Sequence, residues 1–244
     1  MRRWIFLVSF VFCLLLVASG VTALEKGTGI ITGKIMSAGG EALSGGYVKF
    51  FDAAKGYSPF THEYWRSADY YFRIEDDGSF SAALPEGDYY LMAVKMKKGK
   101  KAACPPEEGD FVYPPFEGTQ ETYAVKSGET KDLNLISRAV PFKKEWSANG
   151  KTGIQGIVLD NNGKPLEGKL VIAFDADFSE KPFFSSDSRT DRDGAYVLRT
   201  PEGGKFNVRV MGYKQPVVTA TVQTGKITEG IDIKLEKRPA EILQ

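Results

Sequence analysis

The sequence predicts an all-β chain: two tandem antiparallel seven-strand sandwiches of immunoglobulin-like or transthyretin-like type, behind an N-terminal signal helix. Three observations predict it. Bulky and small or polar side chains alternate in short runs, the period of a strand with one buried face, and beyond the N-terminal run no window repeats at helical spacing. Glycine, proline and Asp-Gly turns punctuate those runs. The chain also says nearly the same thing twice: GIITGKIMSAGGEALSGGYVKFFD at 29–52 returns as GIQGIVLDNNGKPLEGKLVIAFD at 153–175. Gly33 matches Gly156, Leu43 matches Leu166 and Asp52 matches Asp175 at one offset. Asp77-Gly78 and Pro85-Glu86-Gly87 then match Asp193-Gly194 and Pro201-Glu202-Gly203 at an offset shorter by seven. Matched turns in a fixed order are the trace of a duplicated unit.

Residues 1–23 read as a secretory signal, with Arg2 and Arg3, an apolar run from Trp4 to Ala18, and small residues ending at Ala23. The run is shorter than the roughly 20 residues of a spanning helix, so cleavage after Ala23 and no stable membrane span are expected. Cys13 lies in the middle of the apolar run, not at a lipid-attachment site. The mature chain is expected to be exported, periplasmic or extracellular. Without Arg2 and Arg3, 30 basic residues face 31 acidic ones, a balance that argues against nucleic acid as a partner. Cys104 alone remains of the two cysteines. An internal disulfide is therefore excluded and an intermolecular one left open.

The first sandwich is expected over 24–138. Residues from Ile30 to Met36 alternate as a strand, the Gly39-Gly40 turn follows, and Tyr47 to Phe51 reads as a second strand. Tyr71 to Ile74 and the run from Phe80 flank Asp76-Asp77-Gly78, a strong hairpin signal because glycine accepts the left-handed backbone of a tight turn. Tyr90, Met92 and Val94 form the next strand, and Thr122 to Val125 and Leu133 to Ile136 the last two. Residues 97–120 are an insertion that the second copy lacks. Their four lysines, two Pro-Pro pairs, Phe111, Tyr113 and Phe116 suggest a packed excursion, not a disordered one. Residues 139–152, containing Trp146, read as a linker. The second sandwich is expected over 153–237, with strands around Ile157, Ile172, Tyr196, Val208, Val217 to Val222 and Ile231 to Leu235, and 238–244 as a tail.

The pattern G-x-[IV], then G-x-x-L-x-G, D-G-x-[FY], P-x-G-x-[YF] and a closing G-x-x-x-x-[LI]-x-[LI] resembles the carboxypeptidase regulatory-like domain, a transthyretin-like relative of the immunoglobulin sandwich. The second copy resembles it along its length, from Ile154 to Leu235; the first does so from Ile30 to Met96 and from Val125 to Ile136. That resemblance implies a fold and an accessory role. It implies no peptidase activity and carries no catalytic residues over.

Aromatic residues crowd the first half: Tyr57, Phe60, Tyr64, Trp65, Tyr70, Tyr71 and Phe72. Exposed rings of this kind stack on sugars or anchor a protein partner. Tyr64, Trp65, Tyr70, Tyr71, Phe111 and Tyr113 are the candidate binding residues, Tyr64 and Trp65 first among them, against the alternative that the rings cap the sandwich. His62 is the only histidine, and with Cys104 it makes no credible thiol dyad, since no oxyanion-hole motif lies near Cys104. The acids Asp187, Asp191 and Asp193 superficially suggest a calcium loop, though they lack its closing glutamate and a hairpin turn accounts for Asp193-Gly194. No catalytic, cofactor or metal residues are assigned, and no CxxCH haem motif is present. Lys95 to Lys101 suit an anionic surface, or simply a strand end in solvent.

These features point to an exported non-enzymatic module that uses loops on a tandem β scaffold to recognise an envelope or extracellular protein, or a polysaccharide. The alternatives are an adaptor for an envelope enzyme or electron-transfer complex and, more weakly, a hydrolase.

Overall fold

The computed structural model describes residues 27–56, 64–97, 105–114, 121–143, 152–176 and 183–236. The signal, Tyr57, Phe60, His62, Cys104, Phe116, Trp146 and the tail fall outside them. The first half contains β1 (Thr28–Ser37), β2 (Tyr47–Asp52), a 3-10 turn (Ala53–Lys55), β3 (Trp65–Arg66), β4 (Tyr70–Arg73), β5 (Ser79–Pro85), β6 (Gly87–Lys95), β7 (Phe111–Tyr113), β8 (Thr122–Val125) and β9 (Thr130–Pro141). The second contains β10 (Gly153–Leu159), β11 (Val171–Asp175), β12 (Phe183–Ser185), β13 (Ala195–Arg199), β14 (Gly204–Val210), β15 (Val218–Val222), β16 (Ile227–Thr228) and β17 (Ile233–Lys234).

Each half is a β-sandwich. In the first, β5, β1 and β9 form one layer and β4, β2, β6 and β8 the other. In the second, β13, β10, β16 and β17 face β15, β14, β11 and β12. One feature departs from the antiparallel expectation: the first strand of each half pairs in parallel with the last, β1 with β9 and β10 with both β16 and β17. A parallel pair needs a long connection, and here that connection is the rest of the sandwich.

The inner pleat of each half supplies its core. Val48 and Phe50 of β2, with Tyr89 and Leu91 of β6, face Ile31, Ile35, Phe80 and Leu84. Phe50 meets Phe72 and Tyr89 edge-on, at 5.9 and 6.3 Å between centroids. Ile154, Val158, Tyr196, Leu198, Phe206 and Val208 fill the second core. Buried phenols reach backbone carbonyls in both: Tyr89 Oη donates to Pro85 O at 2.9 Å and Tyr196 Oη to Ile231 O at 2.6 Å. A third core lies on the opposite pleat of β2 and β6, where Phe51, Met92 and Val94 pack with Trp65, Val112 and Phe142.

The insertion supplies β7, which pairs with β6 on one side and β9 on the other. It thereby joins the two layers of the first sandwich at one corner into a continuous eight-stranded sheet. Residues from 139 onward do not begin a linker: β9 runs on to Pro141, and Phe142 N donates to Asp110 O at 2.7 Å while its ring enters the third core. The predicted boundary falls too early because Ala139, Val140 and Pro141 show no alternation of their own. Val140 and Pro141 are held by pairing with the insertion, and Ala139 by pairing with Ser37 of β1.

Both Asp-Gly turns form as expected, with Gly78 at φ +89 and Gly194 at φ +73. Asp77 Oδ1 accepts from Ser79 N at 3.0 Å and Ser79 Oγ at 2.7 Å. These bonds, the Ser79 hydroxyl first, hold the Asp77 carboxyl at about 2. Its folded pKa lies below the unfolded one, so its contribution to the turn is complete above the ordinary aspartate range near 3.9 and lost as pH falls through about 2. An NMR titration should place the Asp77 midpoint near 2, and Ser79→Ala should return it toward that ordinary range; a wild-type midpoint of about 4 would show the bonds absent.

Candidate functional site

The segment between β2 and β4 does not stay with its own sandwich. It leaves β2 at Asp52, whose N donates to Asp69 Oδ2 at 2.8 Å, and it rejoins β4 just after Asp69, whose N donates to Phe50 O at 2.9 Å. Between those anchors, Trp65 and Arg66 pair antiparallel with Ser185 and Phe184 of β12. They form the outermost strand of the second half's sheet, in the order β15-β14-β11-β12-β3. Ser67 N extends the pairing by donating to Phe183 O at 2.8 Å, and Phe183 N donates to Ser67 Oγ at 3.3 Å. One half completes a sheet of the other.

Each side chain of this clasp has a separate seat. Tyr64, 5% exposed, enters the second core edge-on to Phe184, at 5.7 Å and 89°. Trp65, 7% exposed, lies 5.8 Å from Phe142 in the third core. Arg66 returns to the first half: Nη1 donates to Gly56 O at 2.7 Å, and Nη2 to Asp52 O and Asp69 Oδ2, both at 3.0 Å. Its guanidinium lies over Phe51 at 5.8 Å. The Arg66 and Asp69 side chains are 0% and 2% exposed. Burial pulls the Arg66 pKa down, opposed chiefly by the Asp69 charge. A buried cation of this kind is tolerated only because carbonyls and a carboxylate replace its water. Beside the clasp lies a small cleft lined by Lys49, Tyr71, Trp65, Met92, Pro105 and Pro106 among others. Lys49 Nζ sits 5.9 Å over the Tyr71 ring.

Tyr64 and Trp65 are therefore not presented to a partner; they are the joint between the halves. Tyr113 is buried at the edge of the first core, and Tyr70, Tyr71 and Phe111 are half-buried, Tyr70 edge-on to Tyr89 at 5.9 Å. The rings fill three different cores: Tyr70, Phe111 and Tyr113 pack on the first, Tyr64 on the second, and Trp65 and Tyr71 cover the outer pleat of β2 and β6. What sequence reasoning missed is Arg66, Asp69, Phe142 and Phe184. A signal existed in the unbroken apolar run from Tyr89 to Val94, where lack of alternation marks a strand buried on both faces.

Asp187 and Asp191 have structural partners. Asp191 Oδ1 accepts from Asp193 N at 3.0 Å and Ala195 N at 2.8 Å, and Asp187 Oδ2 from Arg199 Nε at 2.9 Å. Among the described residues no cluster of three or more His, Cys, Asp or Glu side chains could hold a metal ion. No described helix is long and apolar enough to cross a membrane.

No family model and no curated protein matches the chain, so the regulatory-like resemblance stays one of motifs. Among solved structures it is similar to the Bacillus anthracis TIE protein (16% identity, TM-score 0.28, covering 86% of this chain and 33% of that one). It is also similar to a streptococcal ancillary pilin (16%, 0.29, covering 87% and 63%) and to the minor pilin of Streptococcus agalactiae (13%, 0.28, covering 88% and 99%). The chain thus spans a third of the first of these proteins and under two thirds of the second. At identities and TM-scores this low, none of the three bears on what this chain binds or does.

Proposed function

We propose that the chain is an exported, non-enzymatic structural and binding module, in which two sandwiches are locked together and offer loops and strand edges to an envelope or extracellular protein, or to a polysaccharide. The observation that carries this reading is the clasp. It turns a tandem repeat into one body and takes up the aromatic and charged side chains that a reactive site would need. Asp110, fully buried, is likewise committed, accepting from Lys97 N and Glu107 N at 2.9 Å each. With the candidate rings packed wholly or partly into the cores, recognition falls to backbone edges and loop hydrogen bonds rather than to aromatic stacking.

The test uses the mature chain as bait in envelope extracts and on a glycan array, beside turnover assays with ester, peptide and glycosidic substrates. A specific protein or glycan retained without turnover supports the module. Silence from both extracts and arrays, or turnover that disappears in His62→Ala, overturns it.

A further inference from the structure

The duplication allows the two copies to be compared strand for strand, and they differ at one edge. β5 and β13 are equivalent outer strands, each paired on one side only, with β1 and β10. In β13 the outer side is closed: Asp187 N donates to Val197 O at 2.8 Å, Ser186 bridges Leu198, and the Arg199 side chain is tied to Asp187. In β5 it is open. Ile35 N donates to Gly78 O at 2.9 Å, which sets the register so that Phe80, Ala82 and Leu84 exchange bonds with β1. The backbone N–H and C=O groups of Ser81 and Ala83 then point away from β1. Among the described residues no strand pairs with them.

The chemistry of that edge is unusual for an exposed one. Exposed edges are ordinarily blunted by charge or a bulge, or covered. From Ser79 to Pro85 there is no charged residue, and the register with β1 has no shift. Proline appears only at the far end. Ser81 and Ala83 are exposed and small, and beside Ala83 on β1 stands Ile30, 38% exposed. Ile30 and Leu135 are the large hydrophobic residues exposed among those described.

We propose that β5 is a self-association edge, and that a second copy of this chain pairs with it antiparallel about a two-fold axis at Ala82. In that register Ser81 of each copy exchanges both backbone bonds with Ala83 of the other, so every outward group of the open stretch is satisfied. The arrangement is isologous and closes on itself. A second copy suits the edge better than an unrelated strand for two reasons. The spacing of the outward residues is symmetric about Ala82, and between Ser79 and Pro85 no charged side chain is set against its like across the axis, the acids Asp77 and Glu86 lying at the two ends of the pairing. Ile30, Ala83, then Ser81 and Thr32 of the other copy form a continuous row on the sheet's outer face, extending each three-strand layer into one of twice the width. This association is separate from the recognition proposed above and is read without any other partner.

The experiment is sedimentation of the mature chain over a concentration series, with amide exchange measured at both ends of the series. Dimers should form at the high end, and the Ser81 and Ala83 amides should exchange about tenfold or more slower there than on dilution. The double variant Ser81→Lys, Ala83→Lys should stay monomeric, with a melting temperature like that of the dilute wild type, because both side chains already face solvent. Gln155→Lys, adding charge on β10 of the second half, should still dimerise. A chain that is monomeric at every concentration overturns the proposal, and so does a dimer that survives the double substitution or leaves the Ser81 and Ala83 amides unprotected.

Discussion

Replacing Asp69 by alanine should cost about 3–5 kcal/mol, because it leaves the Arg66 guanidinium buried without the carboxylate that faces it. The same change strands Asp52 N, which donates to Asp69 Oδ2 at 2.8 Å. The shorter contact in this cluster is a different one: Lys55 Nζ lies 2.6 Å from Asp69 Oδ1. Distance does not decide which pair matters. The Lys55 side chain is 37% exposed and regains water when its partner is lost, so Lys55→Ala should cost about 1 kcal/mol or less. Arg66 has no such recourse. Since Arg66 anchors the strand that completes the second sandwich, Asp69→Ala should do more than lower one midpoint. Denaturant unfolding, expected as a single transition in the wild type, should broaden or split, and the Ser67 amide should lose its exchange protection, while Lys55→Ala does neither. Equal costs for the two substitutions would show that the buried carboxylate is not what holds the clasp.

The longer strands of both halves were legible because each carries its own instructions. β1 alternates about the turn at Gly39-Gly40, and the Asp-Gly pairs fall where glycine takes positive φ. The clasp was not legible in the same way, since pairing between Trp65–Arg66 and Phe183–Ser185 joins residues more than a hundred positions apart with no local signature. Only its consequence was written locally. Tyr90, Met92 and Val94 on one pleat of β6, and Leu91 and Ala93 on the other, call for two covering layers where a free-standing sandwich supplies one. Of the aromatic residues that resembled a recognition surface, Trp65 and Tyr71 belong to that second layer, while Tyr64 enters the second core and Tyr70 and Phe72 pack on the first. Prolines and rings suggested packing within the insertion, and among its described residues 111–113 form β7. Its role as the strand that ties β6 to β9 was not legible, because three residues carry no register of their own.

The duplicated glycines make the second large prediction, in which one substitution at matched positions should have unequal effects. Neither Gly33 nor Gly156 has positive φ, so alanine at either meets a question of space, not of backbone conformation. At Gly33 a Cβ would meet the edge of the Phe80 ring at 3.0 Å and Asn134 O at 3.3 Å. The ring can tilt by a few tenths of an ångström, and Gly33→Ala should cost about 1 kcal/mol. At Gly156 the Cβ would overlap the carbonyl of Ile231. That carbonyl cannot retreat: it accepts from Tyr196 Oη at 2.6 Å, Ile231 N donates to Gln155 O at 3.1 Å, and Asp232 Oδ1 accepts from Ile157 N at 3.0 Å. The segment is pinned to β10 on both sides of the glycine and to β13 through Tyr196. Making room for a methyl group means breaking at least one of these bonds, at about 1 kcal/mol each, in addition to the strain. Gly156→Ala should therefore cost about 3 kcal/mol or more, measured by urea unfolding. Tyr196→Phe, which frees the carbonyl on one side at its own cost of about 1 kcal/mol, should make the added alanine less damaging than in the wild-type background. Strict additivity of the pair would place the strain elsewhere, and equal costs at Gly33 and Gly156 would mean the approach of Ile231 is not what demands glycine there.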